Sequence, residues 1–432
     1  MPSITVRSGG PLAGAVTVGG AKNSVLKLMA ATILAEGRYE LTNVPGIVDV
    51  GIMRDLLGTI GVQSSRDDAD PSRLILTSPP ELEPVAPPDQ VRRMRASTAV
   101  LGPLLARCGR ARLALPGGDD FGSRPIDIHV QGLEALGARF SLHDDHLVAI
   151  ADDGLRGTDI TFDFPSVGAT ENVVMAAVLA KGTTTLENAA REPEIIDLCR
   201  FLVGMGAQIE GIGSPTVFIH GVSGAELHGV EHRVVPDRVE AATYLAAVGL
   251  AGGDIVVRDA RAEHMDMVLR KLREMGMTVT PTDDGLAAES PERLRSTDVA
   301  TLPYPGVATD YKPLLTAMLT VADGVGIVTE NLFAGRFRYV DELIRMGADI
   351  RTDSHHAVVR GVPRLDGARV TAPDIRAGAA LVVAALAADG ETVIEGVHHV
   401  DRGYEDLVGK LRSVGADIVR EDTSGEAPDG SG

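Results

Sequence analysis

The chain contains no tryptophan, and aromatic residues make up only 3% of it. Its core must therefore be packed from aliphatic side chains, within an apolar fraction of 44%. Cysteine is scarce as well. Cys108 and Cys199 both sit in apolar helical patterns, where buried, unreactive thiols are expected rather than a disulfide, a metal site or a nucleophile. No uncharged apolar run reaches the ~18 residues of a membrane span, and no basic segment leads into an apolar one as in a signal peptide. A cytoplasmic protein with no membrane partner is the expectation. Positive charge is short too: 41 Lys and Arg stand against 60 Asp and Glu, for a net charge of -19. Nucleic acids and anionic membranes need a basic footprint, so neither is an expected partner. Small anions remain open, because a local cluster of Arg and Lys can hold them against an acidic background. The P-loop spacing is missing, and no dinucleotide-binding G-x-G-x-x-G run stands in a convincing context.

What the chain does have is repetition. A helix closing on an apolar residue and Gly, followed by a strand, recurs as LLGTIGVQ (Gly61), LEALGARF (Gly137), FLVGMGAQI (Gly206), LREMGMTV (Gly276), LIRMGADI (Gly347) and LRSVGADI (Gly415). A second series interleaves with it, each member an Ala/Leu-rich helix, a Gly and a β-rich run: AATILAEGRYELTNV, LLARCGRARLAL, AAVLAKGTTTLENA, AAVGLAGGDIVV, AMLTVADGVGIVTENL and VAALAADGETVIEGV. A fixed period of roughly 70 residues marks a repeat architecture, and glycine suits the left-handed residue that ends a helix. The pattern predicts an α/β protein of six βαβ-like units. At 432 residues these divide into two domains of three units each. From Glu421 the run EDTSGEAPDGSG lacks apolar residues and is expected to be a disordered tail, residues 421–432.

Chemistry-bearing residues cluster at the edges of the repeats. VTVGGAKNS reads as a strand, a Gly turn and a helix start, placing Lys22 and Asn23 in the first turn, where free N–H groups and the helix dipole favour an anion. On its own, Lys22 is equally well read as a solvated helix-start residue. In LALPGGDDFGSRPIDIH, Asp119 and Asp120 lie in a Gly-bounded loop that suits a lid carrying a proton donor, or else an ordinary surface turn. Arg124, Pro125, Ile126 and Asp127 then lead into a helix. Downstream, Thr309-Asp310 follows a Pro-rich strand end, Asp374-Ile375-Arg376 opens an Ala-rich helix, and His399-Val400-Asp401-Arg402-Gly403-Tyr404 ends a strand.

Taken in order, GGAKNS, MRAS, LGPL, PGGxxxGSRPxDxH, PSVGATEN, NAAREPEIxDL, PDRxE, TD, ENLFxxRF, DIRA and VDRGY resemble the enolpyruvyl transferase superfamily, and within it the branch that acts on UDP-N-acetylglucosamine. The resemblance runs from Gly19 to Ile418. It implies two inside-out α/β barrels of three repeats each, with the active site in the interdomain cleft and the N-terminal strand joining the C-terminal domain. The implied bounds are residues 22–235 for a domain carrying the catalytic lid, and 1–21 with 236–420 for the second. The implied reaction moves the enolpyruvyl group of phosphoenolpyruvate to a sugar hydroxyl with release of phosphate, at the first committed step of peptidoglycan synthesis. No metal or organic cofactor is needed for it.

The resemblance also implies residue roles. Lys22, Arg124 and Arg402 match cations around the phosphate, Arg376 lies near the carboxylate, and Arg95 matches a further active-site cation. Asp310 matches the group that takes the acceptor's proton, and Asp119 the proton donor of the lid. Asn23, Leu332 and Asp374 are further site matches. Arg124, Pro125, Ile126 and Asp127 match the uridine-binding stretch, and Ser166, Val167 and Gly168 the N–H groups that hold the diphosphate.

Four departures stand out. The family's lid usually carries Cys where this chain has Asp119, which implies resistance to fosfomycin, an alkylator of that thiol. Ala308, Lys312 and Ala334 replace Pro, Gln and Glu at positions bordering the N-acetylglucosamine ring in the family. With the uridine matches intact, the acceptor is either UDP-N-acetylglucosamine or another uridine nucleotide such as UMP. The sequence carries no sign of oligomeric state.

Overall fold

A computed structural model describes residues 2–114, 126–143, 146–333 and 335–422. The chain folds as two compact units. One holds the residues up to Val18, Arg238–Leu302 and those from Gly306 onward; the other holds Gly19–Asp237 and Pro303–Pro305.

Each unit contains three four-stranded sheets built to one plan. In the unit beginning at Gly19, the central strand Gly37–Thr42 leads through the helix Val48–Ile60 to the edge strand Gln63–Arg66, and Leu74–Ser78 returns antiparallel between them. The chain then leaves through Val85–Ala86, which pairs in parallel not with its own sheet but with Arg110–Ala114 of the next. Asp159–Thr161 repeats the step onto Thr183–Glu187, and Glu231–Arg233 comes back to Gly37–Thr42 and closes the ring. In the other unit, Leu12–Thr17, Val299–Ala300 and Arg369–Thr371 make the same parallel hand-over to Gly253–Arg258, Val325–Thr329 and Glu391–Glu395. Its last sheet takes its return strand from the start of the chain. Ser3–Arg7 lies between Glu391–Glu395 and Ile418–Glu421, with Ile4 opposite both Ile394 and Arg420.

The repeating glycines explain this regularity. Gly61, Gly137, Gly206, Gly276, Gly347 and Gly415 all have positive φ, and so do Gly37, Gly109, Gly182, Gly252, Gly324 and Gly390 of the second series. At Gly206 the requirement is double. Its φ is 111°, and a Cβ would stand 2.6 Å from the Glu226 carbonyl oxygen. A side chain there meets both torsional strain and a hard steric clash.

Each unit has three helices whose residues are mostly buried, as in a helix largely enclosed by other elements. They are Lys22–Ala31, Leu101–Cys108 and Val167–Ala177 in one unit, and Arg238–Ala251, Lys312–Leu319 and Ile375–Ala385 in the other. In Arg238–Ala251, residues 238–250 are all buried. The helix Asp266–Glu274 belongs to the other kind: only Val268, Leu269 and Leu272 are buried, one stripe against the sheet. Small Ala side chains let the enclosed helices pack closely, which is how a chain so poor in aromatics fills its centre.

Cys199 is buried, and burial pushes its thiol up to about 12. Cys108 is only half-buried, its thiol also raised by burial. Both are free and unreactive in character. Glu421, read from sequence as the first residue of a tail, instead pairs with Ser3 at the end of the last strand, because the N-terminal strand offers it a ladder partner. The rest of the expected tail, from residue 423, lies outside the described residues. Among the described residues no helix is long and apolar enough to cross a membrane.

Candidate active site

In each unit several of the sequence-predicted residues lie at the leading ends of enclosed helices. In the unit beginning at Gly19, Lys22 is the first residue of its helix, and its backbone N–H donates to Asp237 Oδ2 at 3.1 Å. Its ammonium lies 2.9 Å from Asp49 Oδ2, with side-chain exposures of 11% and 1%. Asn23, one residue on, is exposed. Ser24 turns inward and donates to Asp197 at 2.6 Å, and Asp197 also contacts His232 Nε2 at 2.8 Å and accepts from the Val235 N–H. This buried carboxylate ties the first turn of the Lys22 helix to the segment that follows residue 232.

Arg95 opens the 3-10 turn Arg95–Val100 and is half-buried. Ile126 precedes the helix Asp127–Ala135, whose first residue is exposed. Ser166 caps the helix Val167–Ala177 through its hydroxyl, which accepts from the Ala169 N–H. Beneath that turn lies His129, from the Asp127–Ala135 helix. A Cβ at Gly168 would stand 2.8 Å from His129 Cε1, so a side chain here would force the imidazole to shift.

Burial, aided by Arg95 and Lys27, pushes the His129 imidazole down to about 4. It is therefore neutral near pH 7 and takes the Asn172 side-chain N–H at Nδ1, 3.0 Å away. Asn172 also donates to the Thr98 carbonyl and accepts from the Gly102 N–H, at 3.1 and 2.7 Å. One imidazole and one amide thus hold together the turn at Ser166, the helix behind Asp127 and the segment behind Arg95.

In the other unit, Asp310 is the centre of a charge cluster. Its Oδ1 accepts from Arg336 Nη1 at 3.0 Å, and its Oδ2 from Arg376 Nε at 3.2 Å. Both arginines are 4% exposed, while the carboxylate is 25% exposed. Burial works against its charge, but the two guanidiniums outweigh that and hold the carboxyl well below the usual carboxylate range. Arg376 is oriented in turn. Asp374 caps its helix by accepting from the Arg376 and Ala377 N–H groups, and the guanidinium lies 5.4 Å from the centre of the Tyr404 ring. Arg402 is half-buried at the end of the 3-10 turn Val397–Arg402, a turn where the sequence suggested the end of a strand. Leu332 is half-buried, its N–H donating to Glu330 Oε1 at 2.8 Å.

Lys312 behaves differently from its expected place at a sugar pocket. Its side chain is wholly buried and faces inward, 2.8 Å from Glu330 Oε2. Ala308 is half-buried against the core. Asp119, Arg124, Pro125 and Ala334 lie outside the described residues.

Sequence reasoning gave no role to Asp49, Asp197, His129, Asn172, Glu330 or Arg336. Asp49 leaves no signal, since it is an ordinary first-turn acid of the helix Val48–Ile60. Asp197, His129, Asn172, Glu330 and Arg336 do fall inside the recognised motifs, so position alone could have singled them out. Among the described residues, no group of three or more His, Cys, Asp and Glu could hold a metal ion.

The chain matches known proteins along nearly its whole length. A family model described as EPSP synthase (3-phosphoshikimate 1-carboxyvinyltransferase) matches residues 6–411. The chain is similar to UDP-N-acetylglucosamine 1-carboxyvinyltransferase of Mycobacterium leprae (strain TN), 52% identical over 96% of this chain and 98% of that protein. The protein of the same name from Nocardia farcinica (strain IFM 10152) is 50% identical over 96% and 97%. Among solved structures, the enolpyruvyl transferase NikO from Streptomyces tendae aligns with a TM-score of 0.86 at 27% identity, over 97% of this chain and 98% of that one. An EPSP synthase from Acinetobacter baumannii, at 18% identity and a TM-score of 0.73, shares the fold.

Proposed function

The chain belongs to the EPSP synthase family, and on that premise we propose that it transfers the enolpyruvyl group of phosphoenolpyruvate to the 3-hydroxyl of UDP-N-acetylglucosamine, releasing phosphate. The observation that carries this reading is 52% identity, along almost the full length of both chains, to a UDP-N-acetylglucosamine 1-carboxyvinyltransferase. In that role the protein serves the first committed step of peptidoglycan synthesis, in the cytoplasm, with two small molecules as its partners.

The chemistry needs a proton at the methylene carbon of phosphoenolpyruvate and an alkoxide at the adjacent carbon. A tetrahedral intermediate then loses a proton and phosphate. Asp119 is assigned the proton delivery and Asp310 the removal of the acceptor's hydroxyl proton. Lys22, Arg124 and Arg402 are assigned to the phosphate, Arg376 to the carboxylate and Arg95 to the site as a further cation, fixed charges that need no reorganisation when charge develops. Arg124, Pro125, Ile126 and Asp127 are assigned to the uridine, the N–H groups from Ser166 to Gly168 to the diphosphate, Asn23 and Leu332 to the nucleotide sugar, and Asp374 to the site without a separate role.

The double clamp on Asp310 adds a condition. A carboxylate paired with two guanidiniums is a feeble base. It gains basicity once the anionic substrate draws Arg376 away, so proton removal is coupled to occupancy by phosphoenolpyruvate.

The test is to isolate the product formed from phosphoenolpyruvate and UDP-N-acetylglucosamine and locate the new ether by NMR. An enolpyruvyl group on the sugar 3-oxygen is expected. Attachment elsewhere, or a product only with UMP, would refute the assignment.

A further inference from the structure

Lys312 is left without a task by the reaction assigned above, yet it has more polar neighbours than a space-filling residue needs. Its side chain and that of Glu330 are both fully buried, 2.8 Å apart. The same ammonium donates to the Arg336 carbonyl oxygen and stands 4.0 Å from the centre of the Phe337 ring. Glu330 accepts from the hydroxyls of Thr301 and Thr309 at 2.7 and 2.8 Å, and from the N–H groups of Leu332 and Phe333 at 2.8 and 3.1 Å. Thr309 Oγ1 in turn accepts from Arg336 Nη1 at 2.9 Å, the nitrogen that also donates to Asp310. The ammonium therefore grips Arg336 twice: directly at its carbonyl, and at its guanidinium through Glu330 and Thr309.

A buried ion pair is a poor source of net stability, since two apolar residues of equal volume often do as well or better. Apolar residues cannot, however, fix the direction in which a guanidinium points. We infer that Lys312 is a positioning residue for the proton-accepting carboxylate, keeping the Arg336 guanidinium on Asp310 while Arg376 turns to the substrate. The inference rests on the enolpyruvyl transfer proposed above.

Titration supports the same geometry. The charged or titratable groups facing Lys312 are Glu330 beyond the strand Val325–Thr329, Arg336, Asp374 at the head of the helix Ile375–Ala385, and Tyr339. Asp310 lies two residues before it on its own segment. Burial pulls the ammonium down to about 8 despite the attraction of Glu330. Above that pH the ammonium is neutral and its hold on Arg336 slackens.

The experiment uses the full chain as wild type, Lys312→Met and Lys312→Gln, following kcat and both KM values across pH. Alongside, carboxyl 13C NMR of aspartate-labelled protein follows the Asp310 titration, assigned with Asp310→Asn. Wild-type kcat is expected to fall above about pH 8 as the ammonium empties. Lys312→Met is expected to lose roughly tenfold or more in kcat with little change in KM, to lack that alkaline limb, and to show an acid limb and an Asp310 titration moved upward. Lys312→Gln retains a donor for the Arg336 carbonyl but no charge. It should also lose the alkaline limb while keeping more of kcat, and it carries the test should the Met variant fail to fold. Variants that melt earlier but keep the wild-type pH profile and Asp310 titration would make Lys312 merely structural and overturn the inference. A wild type that releases no phosphate would overturn the proposed function instead, and the NMR titration would still decide for or against Lys312.

Discussion

Replacing Asp310 with Asn removes a charge without changing shape, which separates what the carboxylate does for chemistry from what it does for stability. For turnover, losing a positioned base costs about 10²–10⁴-fold, or roughly 3–5 kcal/mol at ~1.36 kcal/mol per decade. For stability, the change takes the carboxylate away from Arg336 and Arg376, both 4% exposed, and puts a neutral amide beside them. Breaking a fully buried pair costs ~3–5 kcal/mol. Because the Asp310 side chain is 25% exposed, solvent recovers part of that, and about 2–3 kcal/mol is expected.

The pH dependence has a definite sign. The folded-state carboxyl titrates below its unfolded value of ~3.9, so its stabilisation is complete above that pH and is lost as pH falls towards the folded value. In urea unfolding, the gap between wild type and Asp310→Asn should stay constant from about pH 8 to 5 and narrow below ~4. Nucleotide binding, read by calorimetry, should survive. Turnover close to wild type, or a stability gap independent of pH down to strong acid, would refute the reasoning.

Lys22→Met should take an ion-pair partner from Asp49, 1% exposed, and destabilise the fold by up to ~3 kcal/mol. Adding Asp49→Asn should recover most of that in denaturant unfolding but restore no turnover; a purely additive double-mutant cycle would contradict the pairing. His129 titrates near 4 when folded and near 6.5 when unfolded, so the unfolded chain takes up the proton first as pH falls. Wild-type stability should fall between about pH 6.5 and 4 by up to roughly 3 kcal/mol more than that of His129→Gln, and parallel curves would remove the buried neutral imidazole. Asp119→Cys should retain turnover and become open to inactivation by fosfomycin, so an active but insensitive variant would dismiss the lid assignment.

The architecture was legible because its signals are local. Each turn glycine follows a helical pattern in plain sequence, and the left-handed residue that ends such a helix accepts little else. The parallel hand-over of one short strand to the next sheet was not legible. Val85–Ala86 and Val299–Ala300 are two residues long, too short to carry a period. Candidate site residues could be named from sequence because whole motifs carry them. The contacts between those residues were hidden, because a motif names residues and not their partners. Lys22 meets Asp49, and Asp310 meets Arg336 and Arg376, only through folding, and nothing in the spacing of those residues announces the pairing. Lys312 shows how a substitution can mislead. By resemblance it belongs to a sugar pocket, whereas its ammonium turns inward to the buried carboxylate of Glu330.

Phosphate release from phosphoenolpyruvate, measured with UDP-N-acetylglucosamine and with UMP as alternative acceptors, should decide what the protein does. Rapid release with the nucleotide sugar and none above background with UMP is expected. Release with UMP alone would make Ala308 and Ala334 acceptor determinants, and release with neither would contradict enolpyruvyl transfer to a uridine nucleotide.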